Sequence, residues 1–150
     1  LQLARVGDQI DNTQPVDLTE MVTDCWQNVE TAEATLRTGD ACTIQANRSR
    51  FSQLVENVFR NAVEHGGRDV VVTVGRLADG FYIEDDGPGI PEDERDAVFE
   101  TGYTTTEDGT GFGLSIVSQI VEAHEWDIRV TEGSDHGTRF EITGVSVDSE

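Results

Sequence analysis

Apolar residues in this chain recur either every three to four positions or every second one, and these two periods mark out its elements. After Asp17, residues Leu18, Met21, Val22, Cys25 and Trp26 share one face of a predicted helix. Phe51, Leu54, Val55, Val58, Phe59, Ala62 and Val63 keep helical spacing until Gly66 and Gly67, predicting a core helix over 47–65 with a glycine stop. A third apolar helix is predicted over 113–124, and a short one over 91–99 that opens on Pro91. Strands are predicted at 69–74 and 80–85, joined by a turn near 78–80, and at 128–131 and 138–142. Two short apolar pieces, 34–36 and 42–44, flank Thr38, Gly39 and Asp40 and read as a small hairpin.

Helices and strands alternate irregularly, with hairpins between. The pattern predicts an α+β fold, a mixed and mainly antiparallel sheet covered on one face by helices, rather than a doubly wound parallel sheet. A length of 150 residues with 36% hydrophobic content fits one domain around one core. Residues 1–15 read as a linker or the tail of a preceding helix, 16–145 as the domain, and 146–150 as a C-terminal tail. The chain opens on Leu1 rather than Met and reads as a piece of something longer, with room for sensor, membrane or substrate segments.

Thirty Asp and Glu residues face ten basic ones, all arginine, for a net charge of -20. The missing lysine excludes a Walker A loop and a eukaryotic-type protein kinase, both of which place a Lys on the nucleotide phosphates. The acidic excess argues against nucleic acid or an anionic membrane as partner. Acidic surfaces without lysine are typical of proteins from salt-loving archaea, which points to that origin. Cys25 and Cys42 have neither metal-type spacing nor disulfide density, and suggest a reducing, cytoplasmic setting. No stretch approaches the roughly 20 apolar residues of a membrane span.

On the long helix, Asn57, Asn61 and Glu64 fall on one polar edge beside the apolar stripe. Oxygen ligands one turn apart suit a hard cation such as Mg²⁺, though an ordinary solvated edge has the same pattern. In the strand FYIED, alternation sends Phe81, Ile83 and Asp85 inward and Tyr82 and Glu84 outward. An inward Asp85 needs hydrogen-bond donors, which an adenine amine in an apolar slot supplies; capping the following turn is the other reading. Gly87 and Gly89 allow a tight bend after it. The glycine-rich segment 109–114 meets a helix start, where backbone N–H groups and the helix dipole attract phosphate.

These pieces stand in an order that resembles the catalytic domain of histidine kinases, within the GHKL ATPase superfamily. ENVFRNAVEHG (56–66) is similar to the N box, DDGPGIP (85–91) to the G1 box, VFETGYTTTE (98–107) to the F box region and GTGFGLSIV (109–117) to the G2 box. GTRF (137–140) resembles the last glycine motif, and the likeness covers about 17–142. It implies the two-layer α/β sandwich called the Bergerat fold, with ATP and Mg²⁺ as cofactors. Asp85 would accept from the adenine amine beside Thr138, Asn61 would bind Mg²⁺, and Asn57 would assist at the metal or phosphates. Gly87, Gly89 and Ile90 join the nucleotide-binding set. Tyr103, Thr104 and Thr105 lie in a lid over the phosphates, whose tail rests on Gly109, Thr110, Gly111, Phe112, Gly113 and Leu114.

The residue one turn before the metal-binding Asn is a Glu base in the superfamily's ATPases and serine kinases. Asn57 stands there in this chain, and Glu56 is rotated by roughly 100°. The likeness therefore favours a histidine kinase, whose γ-phosphate goes to a histidine on a separate dimerisation domain. In that setting residues 1–15 become the tail of a dimerisation helix, the intact protein a homodimer with an optional membrane anchor, and a response regulator the downstream partner. Glu64 and His65 depart from the usual Lys and Tyr. His65 can stack on adenine, contact phosphate, or simply end the helix. The loss of basic residues keeps open a nucleotide-binding pseudokinase, alongside a serine kinase or ATPase of the same superfamily. His124 and Glu125 mimic a phosphoacceptor pair but follow the G2 helix, so His124 is not read as the acceptor.

Overall fold

The computed structural model describes residues 13–29, 33–39, 42–66, 69–87, 89, 112–133 and 137–149. In chain order they form β1 (Gln14–Asp17), α1 (Leu18–Gln27), β2 (Thr35–Thr38), β3 (Cys42–Ala46), α2 (Arg48–Gly66), β4 (Val71–Leu77), β5 (Gly80–Asp85), α3 (Phe112–Ala123), β6 (Asp127–Glu132), β7 (Thr138–Thr143) and β8 (Val147–Ser149). The expected short helix at 91–99 lies outside the described residues.

Side chains set the helix starts. Asp17 Oδ1 accepts from the Glu20 N–H at 2.9 Å to open α1, and Asn47 Oδ1 accepts from the Arg50 N–H at 3.0 Å to open α2. Each satisfies a backbone donor that the first turn leaves without a partner.

A five-stranded sheet runs in the order β2-β4-β5-β7-β6. Only its β2–β4 pair is parallel; the other three are antiparallel. A second sheet, β1-β3-β8, is antiparallel throughout. The α+β class and the mainly antiparallel main sheet agree with the sequence reading, and three of its details are corrected. The pieces at 34–36 and 42–44 are not a hairpin, because β2 pairs with β4 in one sheet and β3 with β1 and β8 in the other. Gln14 and Pro15, read as linker, belong to β1. Residues 147–149, read as tail, form β8 and cover the open edge of β3.

The core lies between the main sheet and the helices, where α2 packs against α1, α3 and β5. Phe51, Phe59 and Phe81 are fully buried. Phe51 meets Phe81 edge-to-face at 5.5 Å and Trp126 at 6.2 Å, and Trp26 meets Phe59 at 5.1 Å. Burying each large apolar side chain contributes about 1.5–3 kcal/mol, and these rings join α2 both to the sheet and to α1.

His124 ties the end of α3 to the start of α2. Its Nε2 accepts from the Asn47 N–H at 3.0 Å, its Nδ1 sits 2.9 Å from the Ile120 carbonyl, and its ring stacks on Trp126 at 4.0 Å. A backbone N–H can only be received by a bare nitrogen, so Nδ1 carries the proton and the ring is neutral. Burial pushes its pKa below the ordinary value. A neutral, half-buried ring engaged at both nitrogens acts here as a structural tie between α3 and α2.

Candidate functional site

The end of β5 aims Asp85 into the protein. Phe81, Ile83 and Asp85 are buried while Tyr82 and Glu84 are only partly so, as period-two alternation requires; Gly80, on the same face as Tyr82, is buried as well. Asp85 is 9% exposed. Its Oδ1 accepts two backbone N–H groups, from Gly87 at 2.9 Å and from Thr138 at 3.3 Å. The first closes the turn after the strand and the second crosses to β7, so the carboxylate caps its own turn and also faces the interior. Among the described residues no hydrogen bond reaches Oδ2. Burial pushes the Asp85 pKa up, the two backbone donors oppose the rise, and the charges of Asp86 and Glu84 add to it. A buried carboxylate in this state favours a ligand that donates to its second oxygen.

Two glycines bring β7 close enough for this. A Cβ on Gly137 would stand 1.8 Å from the Asp85 carbonyl oxygen, and one on Gly133 3.3 Å from it. The Gly133 N–H donates to the Gly137 carbonyl at 2.8 Å, which draws the two glycines together. Sequence reasoning reached Gly137 only as part of GTRF and missed Gly133. The signal for Gly133 was a glycine two residues beyond the strand predicted at 128–131, near a strand end where a close backbone approach is common.

The remaining expected residues divide by element. Thr138 is 6% exposed and adjoins Asp85 through its backbone. Gly89 holds a φ of +82°, a conformation that glycine adopts freely. On α2, Asn57 and Asn61 are half-buried and Glu64 is exposed. Asn57 donates to the Gln53 carbonyl at 2.7 Å and receives Arg60 at 3.4 Å. Glu56 turns to α1 instead, where Asn28 donates to it at 3.2 Å. His65 lies within α2, and Phe112 and Gly113 open α3. Leu114 is 4% exposed and packs in the core, so its side chain faces inward. Ile90, Tyr103, Thr104, Thr105, Gly109, Thr110 and Gly111 lie outside the described residues. Described hydrogen bonds thus join Asp85, Gly87 and Thr138, and none among the described residues links them to Asn57, Asn61 or Glu64.

The donor set on α2 suits a hard cation. Asn57 and Asn61 offer neutral carbonyl oxygens one turn apart, and Mg²⁺ takes only one or two protein oxygens when phosphates and waters complete its shell. No cluster of three or more His, Cys, Asp or Glu residues that could hold a metal occurs among the described residues.

Residues 46–145 match the family model of histidine kinase-, DNA gyrase B- and HSP90-like ATPases. The chain belongs to this family. Within it, the sensor histidine kinase ZraS of Escherichia coli K12 is 35% identical over 103 residues, 66% of this chain and 22% of ZraS. The chain spans 18–30% of the length of the curated relatives it matches. Among solved structures, the mycobacterial sensor histidine kinase MprB superimposes with a TM-score of 0.73 at 27% identity, covering 92% of this chain and 99% of that one. Full-length ShkA, solved with AMPPNP, gives a TM-score of 0.75 at 25% identity over 99% of this chain and 35% of its own. The fold of histidine kinase ATPase domains is therefore present. These relatives are bacterial and lend no support to a salt-loving archaeal origin.

Proposed function

We propose that this chain is the ATP-binding catalytic domain of a sensor histidine kinase, donating the γ-phosphate of Mg-ATP to a histidine on a separate dimerisation domain of the same protein. The observation that carries the reading is Asp85, buried at the end of β5, with Oδ1 held by two backbone donors and Oδ2 not bonded among the described residues. The adenine amine donates to Oδ2 in the slot beside Thr138. Asn61, with Asn57, holds Mg²⁺, which when bound neutralises charge on the phosphate oxygens. The backbone N–H groups and dipole at the start of α3, with the glycine-rich residues 109–111 that precede it in the sequence, would hold the phosphate tail. By the family resemblance Gly87, Gly89, Glu64 and His65 belong to the nucleotide-binding set, as do Ile90, Tyr103, Thr104 and Thr105, which lie outside the described residues.

Phosphoryl transfer depends on positioning and charge neutralisation. The incoming imidazole nitrogen forms its bond to the γ-phosphorus in line with the breaking bond to the β,γ-bridging oxygen, and ADP leaves. The acceptor histidine belongs to the dimerisation domain, in keeping with Asn57 where ATPases and serine kinases use a glutamate base. The side chain of Glu56 is held by Asn28, so it does not replace that base. The intact protein works as a homodimer that passes the phosphate to a response regulator, with this domain on the cytoplasmic side. No described helix is long and apolar enough to cross a membrane.

Calorimetry with Mg-ATP on this chain tests the nucleotide reading: saturable heat supports it, and none at millimolar nucleotide overturns it. The absence of lysine, with Glu64 exposed on the polar edge, favours a second reading, a nucleotide-binding module without transfer. It predicts the same heat and no phosphorylated histidine.

A further inference from the structure

The face of β5 opposite Asp85 carries a connected set of side chains. Arg139 donates from Nε to Glu141 Oε2 at 2.7 Å and from a terminal nitrogen to Glu84 Oε1 at 3.1 Å. The other oxygen of Glu141 receives Arg129 of β6 at 3.0 Å. The guanidinium of Arg139 also lies 3.9 Å from the centre of the Tyr82 ring, and that ring lies against the backbone of Gly75 in β4. Four strands, β4, β5, β7 and β6, are thus joined behind the carboxylate. The Arg139, Glu84 and Glu141 side chains are only 21%, 13% and 18% exposed, so solvent screens them less than it screens Arg129, at 72%.

The position of this set along the strands matters more than its size. Backbone pairing between β5 and β7 runs from Gly80↔Thr143 to Glu84↔Arg139 and ends there. One residue further on, Asp85 faces Thr138 across a single long bond of 3.3 Å. A bond that long cannot by itself set the spacing of two strand ends, whereas a forked guanidinium with two charge-assisted bonds can.

We propose that Arg139 is a positioning residue for adenine recognition: from the back of the sheet it clamps the end of β7 to the end of β5, so that Asp85 and Thr138 present one rigid edge to the base. The proposal rests on Asp85 as the adenine acceptor. A group held on strands and supported from behind keeps its geometry better than one carried on a loop.

The test compares ATP with ITP, whose base has a carbonyl where adenine has its amine, in equilibrium binding to the 150-residue chain. Thermal melts are recorded alongside. In Arg139→Gln, ATP affinity should fall roughly 3- to 10-fold, the worth of one ordinary hydrogen bond, while ITP changes by less than about twofold. Arg139→Lys should recover part of the ATP preference, because a point charge still pairs with Glu84 but cannot fork. Equal losses for both nucleotides, or no loss for either, would overturn the proposal. Should Arg139→Gln not melt cooperatively, Glu84→Gln carries the same comparison; loss of folding in both also overturns it, since the network would then be structural. A wild-type chain that binds ATP no better than ITP refutes the reading of Asp85 instead.

Discussion

Replacing Asp85 with asparagine separates binding from folding, because the two depend on different oxygens. The new amide would keep a carbonyl oxygen to accept the N–H groups of Gly87 and Thr138, now at 2.9 and 3.3 Å. In place of Oδ2 it would present an NH₂ group, a donor facing the adenine amine, which is also a donor. Loss of a hydrogen bond to a charged acceptor costs about 1.5–3 kcal/mol, or roughly 10- to 150-fold in ATP affinity. Stability should move the other way. Burial raises the Asp85 pKa above its ordinary value, so the folded state binds a proton more readily than the unfolded one. The contribution of such a group to stability is present below its unfolded pKa and lost as pH rises through its folded pKa. At neutral pH the ionised carboxylate is therefore a burden that the neutral amide removes, and the melting temperature should hold or rise. Calorimetry with Mg-ATP and thermal unfolding at neutral pH read the two effects. Unchanged ATP affinity in a folded Asp85→Asn variant would refute the assignment of Asp85, and a large fall in melting temperature would refute the account of its burial.

Other expectations follow from the same geometry. Gly137→Ala would drive a Cβ to 1.8 Å from the Asp85 carbonyl oxygen, so the strands must part; a loss of about 2 kcal/mol or more should appear in urea unfolding. Phe51→Ala should cost about 3–5 kcal/mol by the same assay, since it empties the centre of the aromatic cluster. Burial lowers the His124 pKa from 6.5, so its contribution to stability is complete above 6.5 and is lost as pH falls from there through the folded value. His124→Phe keeps the stack on Trp126 and has no proton to gain, so the wild type should lose more stability than the variant across that window. Finally, a chain of net charge -20 repels ATP, and shortening the Debye length from about 10 Å at 0.1 M to about 3 Å at 1 M salt should strengthen ATP binding rather than weaken it.

What could be read in the sequence was what depends on neighbours in the chain. The apolar spacing of Phe51 to Val63 placed α2, and the alternation in FYIED turned Asp85 inward, because both periods are local properties of a backbone. Strand pairing is not local. Leu36 and Ile44 flank a turn-like Thr38 and Gly39, which looks like a hairpin, yet β2 finds its partner in β4 across the whole of α2. β1 and β8 were illegible for another reason: QPVD buries only Val16, and a three-residue strand has too few positions to show a period. The site follows the same division. Asn57, Asn61 and Asp85 stood out by residue type and spacing, whereas Gly133 and the clamp of Arg139 on Glu84 gain meaning only once the β5–β7 register is known.

The central claim concerns where the phosphate goes. With radiolabelled ATP and Mg²⁺, this chain mixed with a histidine-bearing dimerisation domain should place an acid-labile, alkali-stable label on that domain's histidine, and this chain alone should stay unlabelled. Saturable ATP binding with no labelled histidine on any dimerisation domain, that of its own full-length protein included, would contradict it.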